Sequence, residues 1–277
     1  LRKPASCSIS QKNIIEIYTS CILRFSDIGF AKTKSRAQLA ANSAGSRTAI
    51  NNKDKAFMSG QSEYSDDQQT VAALSLSDQA YRLLERHIVT LQLQPGSVTN
   101  ERVLIELTGM GRTPVREAIQ RLAWEGLMEV RPRSGIAITA LDPKDFTKVL
   151  DAREGVEQIL CRDAARYSGA YEHEKLREAA VMMKQAATTQ DIPLFLDADK
   201  AFDEVLGSAS LNSYATRLAA PLQSHSRRFW FRLRRDNSLQ DSSTAHTQMI
   251  DAIVSRDETA AIESAKQLIA YLRTLTP

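Results

Sequence analysis

The chain has 277 residues, is 43% hydrophobic and carries a formal net charge of +3. That is enough apolar content for a substantial core spread over about two domains, and no uninterrupted apolar run nears the roughly 18 residues of a membrane-spanning helix. Cys7, Cys21 and Cys161 are few, odd in number and far apart, which fits a reducing cytoplasm and argues against a disulfide frame or a cysteine zinc site.

The charge is unevenly spread. Residues 1–57 hold 10 Lys and Arg against 3 Asp and Glu, leaving 26 against 30 in the remainder, so the body is mildly acidic. Any nucleic-acid binding must come from a local patch and not from a bulk field. Residues 1–57 show no sustained period, and Met58 opens a polar stretch, Ser59 to Gln69. Residues 1–70 read as a disordered or spurious extension. Either Met58 is the native start, or the preceding residues form a basic arm that clamps DNA.

Periodicity then begins. Ala80, Leu83, Leu84, His87, Ile88 and Leu91 follow helical spacing behind Ser77, a plausible N-cap. Gln94-Pro95-Gly96 makes a turn, and Asn100 caps a short helix through Leu107 whose Val103, Leu104 and Leu107 are expected to face inward. After Thr108-Gly109-Met110, a helix runs from Pro114 to Trp124, with Thr113 as N-cap and Pro114 at its first position. On it Val115, Ala118, Ile119 and Leu122 share one face, and Arg112, Thr113, Arg116 and Gln120 share the opposite one. Glu117 and Arg121 are spaced as an intrahelical pair, and Trp124 reads as core. Two short β-prone runs, Leu127 to Val130 and Ile136 to Thr139, flank Arg131-Pro132-Arg133-Ser134-Gly135, a hairpin with a basic tip. Helix, turn, second helix and hairpin make a winged helix-turn-helix over residues 71–141.

Arg-Thr-Pro-Val-Arg-Glu-Ala at 112–118 and Arg-Leu-Ala-Trp-Glu-Gly-Leu at 121–127, with the Gln-Pro-Gly turn and the Pro-Arg-Ser-Gly wing, resemble the DNA-binding domain of the GntR family of bacterial transcription regulators. The resemblance implies DNA contacts from Arg102, Arg112, Thr113, Arg116 and the wing around Ser134 and Gly135. To these the exposed face of the helix adds Gln120, and the wing tip adds Arg133. Gly111 stands where the family usually has a Ser or Thr able to bond a phosphate.

From residue 142 onward strand patterns are absent. Asp142 caps and Pro143 opens a helix to Tyr167, followed by helices over Tyr171–Thr189, Ile192–Ser208, Asn212–Arg234, Leu239–Ser255 and Glu258–Leu275, giving a six-helix bundle over 142–277. The fold class is thus mainly α. Ionisable residues interrupt the apolar stripes: Arg153 among Phe146, Val149, Val156 and Leu160; Asp199 and Asp203 among Ile192, Phe195, Leu196, Phe202 and Leu206; His225 among Leu218, Leu222 and Phe229; His246 before Met249, Ile250 and Ile253. Buried charge is costly unless paired or ligated, so five such groups read as an effector site or an internal ion-pair network. Arg153 suits a bidentate carboxylate, and Asp199 with Asp203 could share a divalent cation with a His.

The Arg-Glu-Gly-Val-Glu run at 153–157, the Asp-x-x-Phe-Asp run within 199–203 and the His-x-x-Met-Ile-Asp-Ala-Ile run at 246–253 resemble the effector-binding FCD domain of the FadR-like branch of that family. Many members of that branch hold a metal with Asp, a His four residues on, and two further His. Asp199 and His246 match, Asp203 stands at the first His, and Leu268 falls at the last. A Zn or Ni ion on Asp199, Asp203 and His246 would therefore rest on an incomplete set.

Together these readings give a cytoplasmic homodimeric repressor of a palindromic operator, controlled by a small organic or sugar acid. One rival is a metal-dependent enzyme in the bundle, against which stand the missing nucleophile motif and phosphate-cradling Gly loop. The other is a ligand-independent architectural DNA binder, against which stands the inward Arg153.

Overall fold

The computed structural model describes residues 74–276, all belonging to one compact unit with two hydrophobic cores. The expectations for Met58, the basic arm, Cys7 and Cys21 lie outside the described residues.

The smaller core is built by α1 (Leu76–Val89), α2 (Glu101–Thr108), α3 (Arg112–Trp124) and a three-stranded antiparallel sheet of β1 (Val98–Thr99), β2 (Met128–Arg131) and β3 (Gly135–Ile138) in the order β1-β3-β2. Ser75 caps α1 by accepting from the Asp78 amide, two residues before the expected Ser77. Ala80, Tyr81, Leu84 and Ile88 form its buried face, while Leu83 is exposed. Asn100 caps α2 through the Val103 amide, and Gly109 ends it at φ 65°, the left-handed conformation that glycine adopts without a Cβ penalty.

Helix α3 starts earlier than expected. Gly111, not Thr113, is its N-cap, and Pro114 sits third, still in the first turn where no amide hydrogen needs a partner. Val115, Ala118, Ile119 and Leu122 are buried as the spacing requires. Four expectations fail here. Val103 and Leu107 are exposed and only Leu104 of α2 is fully buried. Trp124 is 82% exposed, because two residues past Leu122 is nearly the opposite side of the helix. Arg121 pairs with Glu125 and Asp78 instead of Glu117, and its guanidinium lies 3.6 Å over the Tyr81 ring.

The wing hairpin is as read, with one strand more. β1, only two residues long, pairs Val98 with Ala137 and Thr99 with Ile136. Gly135 is required there: at φ 97° a Cβ would lie 2.5 Å from the Thr99 carbonyl oxygen.

The larger core is the six-helix bundle: α4 (Pro143–Tyr167), α5 (Ala170–Thr189), α6 (Ile192–Ala209), α7 (Ser213–Leu233), α8 (Ser238–Val254) and α9 (Glu258–Arg273). Asp142, Asp191, Asn212 and Asp257 cap four of them with side-chain bonds to the first-turn amides. α4 packs on α7 and α9, and α5 on α6 and α8. Stacked pairs Phe146–Phe229 and Phe195–Trp230, each with centroids 4.9 Å apart, tie α4 to α7 and α6 to α7. Leu218, expected inside, is exposed on α7. Val89, the last residue of α1, belongs to this core, so the winged-helix half is seated on the bundle.

Candidate functional site

The expected DNA-contacting residues lie at the surface. Arg102, Arg112, Thr113, Arg116, Gln120, Arg133 and Ser134 are exposed, and Gly135 is half-buried where the hairpin turns. The structure gathers two of them on one acid: Glu101, the first residue of α2, holds Arg112 at 3.0 Å with one oxygen and Arg116 at 2.7 Å with the other. Arg102 pairs with Glu106 at 2.9 Å. Sequence reasoning missed Glu101, because an acid at the first position of a helix is common there for its effect on the helix dipole alone. Arg133 sits at φ 64° at the hairpin tip and projects no ion pair among the described contacts.

Four of the five inward ionisable groups converge; His225 does not. Arg153 is buried on α4, with Nε 2.9 Å from Glu157 and Nη1 3.0 Å from the Ser226 hydroxyl. Its Nη2 is 4.0 Å from Asp203. Asp199 lies 2.9 Å from His246 Nε2, while His246 Nδ1 lies 2.8 Å from the Ser242 carbonyl oxygen. Both ring nitrogens therefore face acceptors, which suits the doubly protonated ring. Burial pulls its pKa down, the Asp199 contact pulls it up, and the net direction is up. Burial acts in the opposite sense on Asp199 and raises it, but His246, Arg227 and Arg153 outweigh burial and hold it low. Asp203 takes the opposite course: burial and the neighbouring Asp199 push it up to about 7.

The group that completes this cluster is Arg227 of α7. Its Nη1 bonds Asp203 and reaches Asp199 at 3.3 Å, and its Nη2 reaches Glu85 of α1 at 3.2 Å and the Ser224 hydroxyl at 3.1 Å. Glu85 is 2% exposed and also bonds Lys200 and Ser224. Burial raises Glu85, yet Arg227 and Lys200 win and keep it ionised. Neither Arg227 nor Glu85 stood out in the sequence. Glu85 shares the spacing of Tyr81, Leu84 and Ile88, and that was the signal for its burial; no local pattern identified its partner 142 residues away.

His225 faces the other half of the molecule. Its Nε2 lies 2.8 Å from the Glu125 carbonyl oxygen, and three residues on, Arg228 donates to the Thr139 carbonyl at 2.6 Å. Arg228 is fully buried with no acid beside it, and burial lowers its pKa to about 10. One stretch of α7 thus touches both parts. Ser224, His225, Arg227 and Arg228 hold the winged domain, while Ser226, Arg227 and Trp230 face the cluster.

The donor set does not fit a divalent ion. A guanidinium occupies the space between the two Asp carboxylates, Leu268 is a buried apolar residue, and among the described residues no three His, Cys, Asp or Glu side chains have metal-holding geometry. What the cluster offers is two buried guanidinium groups beside an aromatic wall. Arg153, Phe195, Leu196, Arg227, Trp230, and His246 are among the residues around an inner cavity of about 20 Å³, room for about one water. Two clefts flank it between α1 and the bundle, of about 270 and 360 Å³, and Arg227 lines all three spaces.

Residues 76–138 match the family described as bacterial regulatory proteins, gntR family, and residues 148–271 match the FCD domain. An HTH-type transcriptional regulator of Agrobacterium vitis is 32% identical over 130 residues, 46% of this chain and 76% of that protein. A probable D-xylose utilization operon transcriptional repressor of Paenarthrobacter nicotinovorans is 27% identical over 72% of this chain and 88% of its own length. Among solved structures, that of E. coli McbR/YncC superposes with a TM-score of 0.61 at 19% identity, covering 73% of this chain and 99% of that one, a likeness of fold.

Proposed function

The chain belongs to the GntR family of bacterial regulatory proteins and carries an FCD domain, and on that footing we propose that it is a repressor whose grip on its operator is set by a small carboxylate held in the bundle. The family is one of DNA-binding transcriptional regulators, not enzymes, whose members bind operators as dimers. Among the described residues no helix is long and apolar enough to cross a membrane.

The observation that carries the reading is the position of the buried arginines. Arg153 and Arg227 border a small cavity with an aromatic wall, and the helix that brings Arg227 there also grips the winged domain. Guanidinium groups recognise carboxylates with paired hydrogen bonds, and the Phe195–Trp230 wall suits the carbon skeleton of an organic or sugar acid. The cavity as it stands holds no more than a water, so the ligand enters by displacing side chains or opening the flanking clefts.

For the DNA half, Arg102, Arg112, Thr113, Arg116, Gln120 and the wing residues Arg133, Ser134 and Gly135 make the contacts, each protomer reading one half of a palindrome. Tyr214 and Leu218 lie exposed one turn apart on α7, with the exposed Leu211 just before its N-cap, and α7 packs on the helix bearing the exposed Ile159. That apolar face is our choice for the dimer contact, in a cytoplasmic protein.

The test is a thermal-shift screen of organic and sugar acids on the full chain, since a specific ligand raises the midpoint by mass action. At least one acid should raise it and also weaken binding to an operator selected from random duplexes. If no acid does either, the effector reading fails.

A further inference from the structure

Of the two arginines buried in the cluster, one has a partner that can leave. Arg153 gives Nε and Nη2 to Glu157, one turn along the same helix, and Nη1 to Ser226. No movement of one half of the molecule against the other separates residues of one helix turn. Arg227 divides its guanidinium between the halves: Nη1 serves Asp199 and Asp203 on α6, and Nη2 serves Glu85 on α1. α1 is the helix that seats the winged domain on the bundle.

We propose that Arg227 anchors the effector carboxylate, and that it takes the ligand only by releasing Glu85, so that ligand binding and docking of the DNA-binding half compete for one guanidinium. This rests on the effector reading above and adds a residue and a mechanism to it. Three features support the exchange. Arg227 lines the inner cavity and both clefts, so it is reachable by a ligand from each. Glu157, Asp199, Asp203 and Glu85 already face Arg153, Arg227, Lys200 and His246, so no cation of the cluster is spare and a further carboxylate takes the place of one of the four acids. Glu85 is the one borne by a separate core, and on releasing Arg227 it keeps Lys200 of α6, which lines the outer cleft, as counter-ion for as long as α1 stays against the bundle. A released Glu85 is therefore not left unpaired.

The competition has a reciprocal consequence. Whatever fixes α1 on the bundle weakens the ligand, and the ligand loosens α1. Weakening the Glu85 contact should then tighten binding, although Glu85 does not border the inner cavity.

The experiment uses the full chain with Trp124→Phe, which leaves Trp230, at the cavity wall, as the fluorescent reporter of the two tryptophans. Malonate, pyruvate and D-gluconate are titrated into this protein, into the same protein with Glu85→Gln, and into a third with Ser224→Ala. Glu85→Gln removes the charge and keeps the shape; Ser224→Ala removes one bond that holds Glu85 and serves if the first variant does not fold. The expected result is about tenfold tighter binding of the acids to Glu85→Gln and a smaller tightening for Ser224→Ala. In hydrogen exchange, the acid should also speed the α1 amides of the parent protein. Binding by the variants alone would support the latch most strongly. Equal affinities for parent and variants, within twofold, would overturn the latch and leave the effector reading standing. Absence of binding to all three proteins, by these acids and by every acid of the thermal-shift screen, would overturn both.

Discussion

The imidazole Nε2 of His225 lies 2.8 Å from the main-chain carbonyl oxygen of Glu125, the residue that ends the recognition helix. The contact places a bundle residue against the joint between α3 and the wing, and a Cβ on the next residue, Gly126, would meet the His225 ring at 3.6 Å. The neutral ring donates its Nε2 hydrogen to that carbonyl. Burial and the nearby Arg228 lower its pKa, against smaller opposing contributions from the Glu125 carbonyl and carboxylate.

The sign of the pH dependence follows. The unfolded ring titrates near about 6.5, the folded ring below it, so acid favours the undocked or unfolded form. The contribution of His225 is complete above the unfolded value and is lost as the pH falls through the folded one. Between about pH 7 and about pH 5 the wild-type melting temperature should fall more steeply than that of His225→Gln, which can still donate to the carbonyl. Parallel curves would show that His225 does not titrate in this window.

Arg116 and Glu101 form an ion pair on the proposed DNA-contacting face. Arg116→Ala should weaken specific binding by about 1–3 kcal/mol if the side chain reads a base edge. A uniform loss across all sequences would mark a phosphate contact. Glu101→Gln removes the acid that holds both Arg112 and Arg116. It should raise affinity for random duplex and narrow the gap to the operator, because the carboxylate repels phosphate while it fixes both guanidinium groups. Anisotropy titrations against operator and random DNA at one salt concentration separate the two effects.

Gly111 caps α3 without a side-chain bond, and a Cβ there would meet only Pro114 Cδ at 3.9 Å. A serine fits the space. Gly111→Ser should add a few tenths of a kcal/mol of helix stability and, by offering a hydroxyl to a phosphate, tighten DNA binding several-fold. Unchanged affinity would show that the backbone amide alone serves this position.

Much of this was legible from local chemistry. Asn100, Asp142 and Asp257 announce helix starts through a bond made within three residues, so their helices begin where the sequence says. Thr113 misled because Pro114 is tolerated anywhere in a first turn, and β1 was invisible because two residues carry no period. Arg153, Asp199, Asp203 and His246 were found because each interrupts an apolar stripe. Arg227 and Glu85 were missed because their meeting is a property of how the two cores dock, and neither helix records it alone. For the same reason His225, read as a fifth member of the cluster, belongs to the opposite side of α7.

Arg153 and Glu157 are buried together, so removing one leaves a charge with no partner. Arg153→Ala should cost about 3–5 kcal/mol of stability. The double variant Arg153→Met, Glu157→Gln should recover most of the loss yet still bind carboxylate ligands poorly. Urea unfolding of the three proteins checks the first part, and the Trp230 titration the second. A double variant with wild-type ligand affinity would remove Arg153 from the site.

The most direct measurement is operator affinity of the full chain, by anisotropy at fixed salt, with and without the acid that raises the melting temperature most. The expected result is a weakening of about tenfold or more, reduced when Arg227 no longer has Glu85 to release. An operator affinity that the bound acid leaves unchanged would contradict the coupling of the bundle cavity to the recognition helix.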